Sequence, residues 1–158
     1  MSRECRRVSP NWNHPKNDRG RYQPMYDQSY QDAVAEWKGG YAAWERGERP
    51  KHCESTEEYW DYVGSPPDSE YYRPHWTDAE RTHYQMYETC SEGTPISPVF
   101  ATPEEVARWC ADNGASAFAD MTAPYEQWLA IARGGWAPSM VVENGVKKSG
   151  VRFVAEKP

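Results

Sequence analysis

The side chains best suited to chemistry lie between residues 52 and 92. His52, Cys53, His75, His83 and Cys90 are all acceptable zinc ligands by type. Their spacing fits no structural zinc pattern: there is no CxxC pair, and the adjacent His52 and Cys53 would seldom both reach one ion. Isolated surface or packing roles are favoured, and no metal or other cofactor is expected. The same stretch is rich in carboxylates, from Glu57 and Glu58 through Asp78 and Glu80 to Glu88 and Glu92. A two-carboxylate hydrolase needs its pair at a defined separation, which spacing alone does not supply. The default for this run is a solvated acidic face, which would also offer charge to a basic partner.

Nucleophiles fare no better. Ser97 lies between Ile96 and Pro98 and lacks the Gly-x-Ser-x-Gly elbow that exposes a reactive serine. Cys110 falls beside Trp109 on the apolar face of a predicted helix, where a thiol is buried and inert. Neither GxxxxGK[ST] nor GxGxxG occurs. The best-formed helix start, "ATPEE", carries Glu104 and Glu105 in its first turn, and these repel phosphate. No catalytic residue is assigned. The stretch "SEGTPISPVFATPEEVARWC" reads as scaffold, with only its polar turn, Ser91 to Thr94, kept open as a site.

The elements around these residues divide the chain in two. Residues 1–83 hold thirteen Trp or Tyr but only three Val, and neither Leu nor Ile. Residues 84–158 hold ten Val, Ile or Leu. A conventional small core is therefore expected only in the second half. Residues 1–28 are interrupted by Pro10, Pro15, Pro24 and Gly20 and read as an extended basic arm, with six Lys/Arg against two Asp/Glu in the first 24. Residues 29–77 read as an aromatic-rich helical and loop segment. Within it Tyr30, Val34, Trp37, Tyr41 and Trp44 recur at helical steps after a Ser29 N-cap, and "STEEYWDYVG" gives a second, shorter helix.

From residue 78 the expectation is an α+β domain: a small antiparallel sheet with two helices, following the aromatic-rich arm and helix. "THYQMYETC" alternates as a strand, and "ISPVF" is an edge strand limited by Pro98. "TPEEVARWCADNG" is a helix opened by a Thr102–Glu105 capping box with Pro103 at its first position. "TAPYEQWLAIARGG" is another helix. "SMVVENGVKKSGVRF" is a hairpin turning at Asn144–Gly145, with Gly150 as a bulge.

The aromatic excess bears on function. Trp and Tyr are the residues most often found at the centres of binding surfaces. Trp37, Tyr41 and Trp44, then Tyr59, Trp60, Tyr71 and Tyr72, are the candidate partner-binding residues. Covering of the C-terminal domain is the competing role for the helical stripe. The net charge of −6 argues against broad contact with nucleic-acid phosphates. No apolar run approaches the roughly 18 residues of a membrane span, and the first residues form no secretory signal. Four cysteines without export point to reduced thiols in a cytosol.

The strings "RRVSPNWNHPKNDRGRY", "EWKGGYAAWERGERP" and the long run from "ERTHYQMYETCSEGTPISPVF" to "WLAIARGGWAPSMVV", in that order, resemble small uncharacterised proteins of tailed bacteriophages and prophages. The likeness covers most of the chain and is densest over 81–142. Some similar phage proteins carry Cys-rich, zinc-knuckle-like inserts ahead of this segment. Only His52 and Cys53 stand there in this chain, so a structural zinc is not carried over. The resemblance implies an accessory protein acting by protein–protein binding in the host cytoplasm, inhibiting a host defence system or redirecting a host enzyme. The expected partner is a host protein, with self-association as a further option and neither a membrane nor nucleic acid expected. A small enzyme or metal-binding protein using the His, Cys and carboxylate set of residues 52–92 is the first alternative. A virion or assembly component is the second.

Overall fold

The computed structural model describes residues 2–53, 58–89 and 93–157. In chain order the strands are β1 (Ser2–Val8), β2 (Tyr26–Ser29), β3 (Tyr72–Arg73), β4 (His83–Thr89), β5 (Thr94–Pro95), β6 (Trp136–Ala137), β7 (Met140–Glu143) and β8 (Val146–Ser149). The helices are α1 (Tyr30–Glu45), α2 (Tyr59–Val63), α3 (Pro103–Asp112), α4 (Tyr125–Gly134) and α5 (Gly150–Ala155). The fold is mixed α+β, with antiparallel sheets and aromatic clusters. The chain forms two compact units, one of residues 1–24 with 76–158, the other of residues 25–75.

The first unit is built on a four-stranded sheet of order β5–β4–β1–β6. Its central pair runs antiparallel from Ser2 opposite Thr89 to Val8 opposite His83. This corrects the reading of residues 1–28 as an arm: residues 2–8 are an interior strand, and residues 1–24 belong with 76–158. The strand escapes local reading because its partners lie about eighty positions away. Its arginines are ligated within the fold. Arg3 is 1% exposed, and its guanidinium donates to the Ser116 carbonyl at 2.7 Å and the Ser116 hydroxyl at 3.1 Å. Arg6, 5% exposed, donates to Glu4 at 2.7 Å and lies 4.3 Å from the centre of the Tyr87 ring.

Alternation along β4 gives the sheet two buried faces. Met86 and Tyr84 join Val106, Cys110, Trp128, Ile131 and Val151 in the core under the helices. Gln85 and Tyr87 point the other way and are also buried. Helix α3 starts as its sequence requires: the Thr102 hydroxyl accepts from Glu105 N at 3.2 Å, and the Glu105 carboxylate accepts from Thr102 N at 3.0 Å. The β7–β8 hairpin turns at Asn144 and Gly145, both at positive φ (51° and 78°), the geometry that selects Asn-Gly.

Two local expectations are corrected. Gly150 is not a bulge but the first residue of α5, capped by Ser149, whose hydroxyl accepts from Arg152 N at 3.2 Å. A Cβ at this position would collide with the Pro138 carbonyl, so only glycine fits. The "ISPVF" segment is not a continuous strand. It pairs with β4 at Pro95–Ile96 and again where Phe100 bridges Tyr84, and bows outward between. Pro98 cannot donate to a ladder, and the Ser97 hydroxyl substitutes for a strand carbonyl by accepting from Met86 N at 2.9 Å.

The second unit holds α1, α2, a 3-10 turn at Ser69–Tyr71 and the parallel pair β2–β3. Helix α1 opens at Ser29, whose hydroxyl accepts from Asp32 N at 3.1 Å. The costly Gly40 inside α1 has a steric reason, because the Tyr59 hydroxyl occupies the space a Cβ would take. The expected caps Ser55 and Thr56 of α2 lie outside the described residues.

Candidate functional site

In the second unit α1 and α2 exchange aromatic side chains. Tyr59 inserts among Trp37, Tyr41 and Trp44, with ring centres 5.1, 5.7 and 5.8 Å away. Trp37 stacks on Tyr41, and its Nε1–H donates to the Gly64 carbonyl at 3.1 Å. Trp44, 3% exposed, and Tyr59, 5% exposed, form the floor of this cluster. Trp37 and Tyr41 are half-buried.

Trp60 and Tyr62 complete the cluster from above. Trp60 stacks on Tyr41 at 6.4 Å and Tyr62 on Trp44 at 5.5 Å, and the two remain 47% and 46% exposed. Tyr72 sits apart, against Tyr26 and Tyr30, while Tyr71 is exposed. The structure thus gathers five of the seven candidate residues and separates Tyr71 and Tyr72 from the ring cluster. Tyr62 escaped the sequence reading. It lies three residues after Tyr59 on the short α2, a spacing that shares a helical face, so the signal was present but not used.

The first unit carries a different site, on the sheet face away from the helices. The loop after β1 folds over this face and seats His14, 4% exposed, against Tyr87. His14 Nε2 lies 2.6 Å from the Gln23 carbonyl, which can only accept, so Nε2 carries the proton. His14 Nδ1 and Gln85 Oε1 each lie 3.0 Å from the Tyr87 hydroxyl, which also accepts from Trp12 Nε1 at 3.1 Å. Gln85 Nε2 donates to the Ser97 carbonyl at 2.8 Å, which fixes the amide's orientation.

Burial pushes the His14 pKa down. The bond to the Gln23 carbonyl opposes this, and the Arg6 cation adds to it. With the imidazole neutral, Nδ1 and Gln85 Oε1 compete for the single Tyr87 proton. With it charged, Nδ1 donates to Tyr87 and the phenol proton turns to Gln85. Ser97 is a brace and not a nucleophile, since its hydroxyl donates to the Pro98 carbonyl at 2.9 Å while accepting from Met86 N.

Beside this network lies a cavity of about 410 Å³. Trp12, Tyr22 and Trp109 supply flat walls, Pro95 to Val99 supply an aliphatic one, and Asn13, His14 and Gln85 supply polar groups. The volume falls within the range of small-molecule sites. The bowed segment that the sequence marked as scaffold is therefore also a cavity wall. His14 was missed because its partner Tyr87 is 73 positions away. The only local signal was Trp12 and His14 spaced two apart in a Pro-bounded loop.

The other sequence candidates do not converge. Among the described residues no three His, Cys, Asp or Glu side chains could hold a metal ion. His52 packs against the Tyr62 ring and the His83 ring meets the Thr82 hydroxyl at 2.9 Å. Cys90 and the turn residues Ser91 and Glu92 lie outside the described residues. Burial raises the thiols of Cys5 and Cys110 to about 12 each. No described helix is long and apolar enough to cross a membrane. Comparison with family models, curated proteins and solved structures finds no match for this chain.

Proposed function

We propose that this is a phage accessory protein that works by binding a host protein in the host cytoplasm, inhibiting a defence system or redirecting an enzyme, with residues 25–75 as its contact surface. The observation that carries the reading is the coincidence of charge and open rings. Residues 25–75 contain eleven Asp/Glu and five Lys/Arg, so they carry the whole net charge of −6, whereas the rest of the chain has thirteen of each. On this acidic unit Trp60 and Tyr62 each stack one ring face inward and stay nearly half exposed. Aromatic anchors within a field of one sign suit a basic protein surface, with the charge aiding encounter and the rings supplying affinity.

Trp60 and Tyr62 are the anchors of this proposal. Trp37, Tyr41, Trp44 and Tyr59 hold them in place from beneath. The test is capture of host proteins on the immobilised full chain beside a Trp60→Ala, Tyr62→Ala double variant. One stoichiometric basic protein, lost with the variant at unchanged melting temperature, is the expected result. Equal capture by both proteins would refute the assignment.

A further inference from the structure

The geometry points to a nucleotide-binding site in the cavity of the first unit, with the base held by the aromatic and amide walls and the phosphate by the turn at Lys16. The cavity fits a flat, uncharged ligand group. Among the described residues lining it there is no Asp, Glu, Lys or Arg, and three of them are the aromatic residues Trp12, Tyr22 and Trp109. Base-on-aromatic stacking is a main source of affinity for unpaired bases. A pyranose would call for carboxylate acceptors, and an acyl chain would leave the amides unused.

The polar groups suit a base edge. Gln85 spends one N–H on the Ser97 carbonyl and one lone pair on Tyr87, which leaves one donor and one acceptor on its amide. Asn13 brings a second amide to the wall, with no hydrogen bond to another described residue. Paired donors and acceptors of this kind match the mixed edges of nucleobases.

The basic groups that suit a phosphate stand at the rim. Lys16 Nζ lies 4.9 Å from the centre of the Tyr22 ring, so a cation stands over a residue that also lines the cavity. Lys16 bridges Tyr22 across a tight turn in which Asn17 Oδ1 accepts from the backbone of Arg19 and of Arg21. The turn therefore holds three basic residues against one Asp at the edge of an uncharged cavity. This unit has no net charge of its own to repel a phosphate.

The test is calorimetric titration of the full chain with the four common nucleoside 5′-monophosphates and with the matching nucleosides. At least one base is expected to bind at about millimolar concentration or tighter, and its monophosphate to bind more tightly than its nucleoside. Asn13→Ala, at a site where folding makes no use of the side chain, is expected to weaken both forms by about tenfold. Lys16→Ala is expected to weaken the monophosphate alone. No binding of any of the eight compounds at about 5 mM would overturn the assignment, as would binding that Asn13→Ala leaves unchanged. A nucleoside and monophosphate of equal affinity would overturn the phosphate part.

Discussion

The two units stabilise themselves by different means. Residues 1–24 and 76–158 bury an aliphatic and sulfur core of ordinary kind, with Met86, Val106, Ile131 and Val151 packed around one large ring, Trp128. Residues 25–75 have almost no aliphatic side chains and interlock rings, each pair contributing about 0.5–1.5 kcal/mol beyond its area. Stacking is geometrically open: a ring satisfied on one face leaves the other to solvent, as Trp60 and Tyr62 do. The aliphatic unit buries an aliphatic core and balances its charges, while Trp136 and Val142 stay exposed on it. The aromatic unit leaves both rings and net negative charge at its surface. On the proposed reading, the same composition that limits its core equips it to bind.

The largest expected effect tests the aliphatic side. Trp128→Ala should cost about 3–5 kcal/mol in denaturant unfolding, because a fully buried ring leaves a cavity that its neighbours fill only in part. A cost below about 1 kcal/mol would mean that this unit is not organised around Trp128. The matching change in the aromatic unit is Gly40→Ala. Helix propensity favours alanine by about 1 kcal/mol, but the new methyl meets the Tyr59 hydroxyl, so net destabilisation of about 1–2 kcal/mol is expected. Stabilisation would show that Tyr59 does not need the gap in α1.

Acid should separate the units further. The folded state depresses the His14 pKa below its usual 6.5, so the unfolded chain takes up a proton first as the pH falls. This contribution to stability is complete above about 6.5 and is lost between that value and the lower folded one. His14→Gln should flatten the loss in urea titrations between neutral and mildly acid pH, and an unchanged slope would remove His14 as its source. The smallest effect concerns the thiols. Cys5 and Cys110, held near 12 by burial, should stay unmodified by a thiol reagent at pH 8 until the chain unfolds. Modification at the rate of an unfolded control would contradict their place in the core.

What was legible in the sequence followed the range of each interaction. The Thr102–Glu105 box, the Asn144–Gly145 turn and the Ser29 cap are settled within four residues, and each forms where its residues predict. The α+β class follows from those pieces. The interior place of β1 was not legible, since Arg3 and Arg6 look like solvated charges until Ser116, Glu4 and the Tyr87 ring are brought to them. The aromatic stripe could be read as a helical face, yet which rings stay open depends on α2, which reaches α1 only in the fold. His14 and its cavity depend on contacts across more than seventy positions and left almost no local trace.

The central proposal is that the acidic aromatic unit, and not the aliphatic one, contacts the host protein. Val142, 57% exposed on the β7–β8 hairpin, is an apolar control as open as Trp60. The deciding measurement is the affinity of the captured host protein for the wild-type chain, for Trp60→Ala and for Val142→Ala under one salt condition. The account predicts a loss of at least about thirtyfold for Trp60→Ala, the scale of a central anchor. It predicts a change within about twofold for Val142→Ala, the scale of a peripheral contact. Loss of binding with Val142→Ala and full affinity with Trp60→Ala would contradict it and move the interface to the other unit.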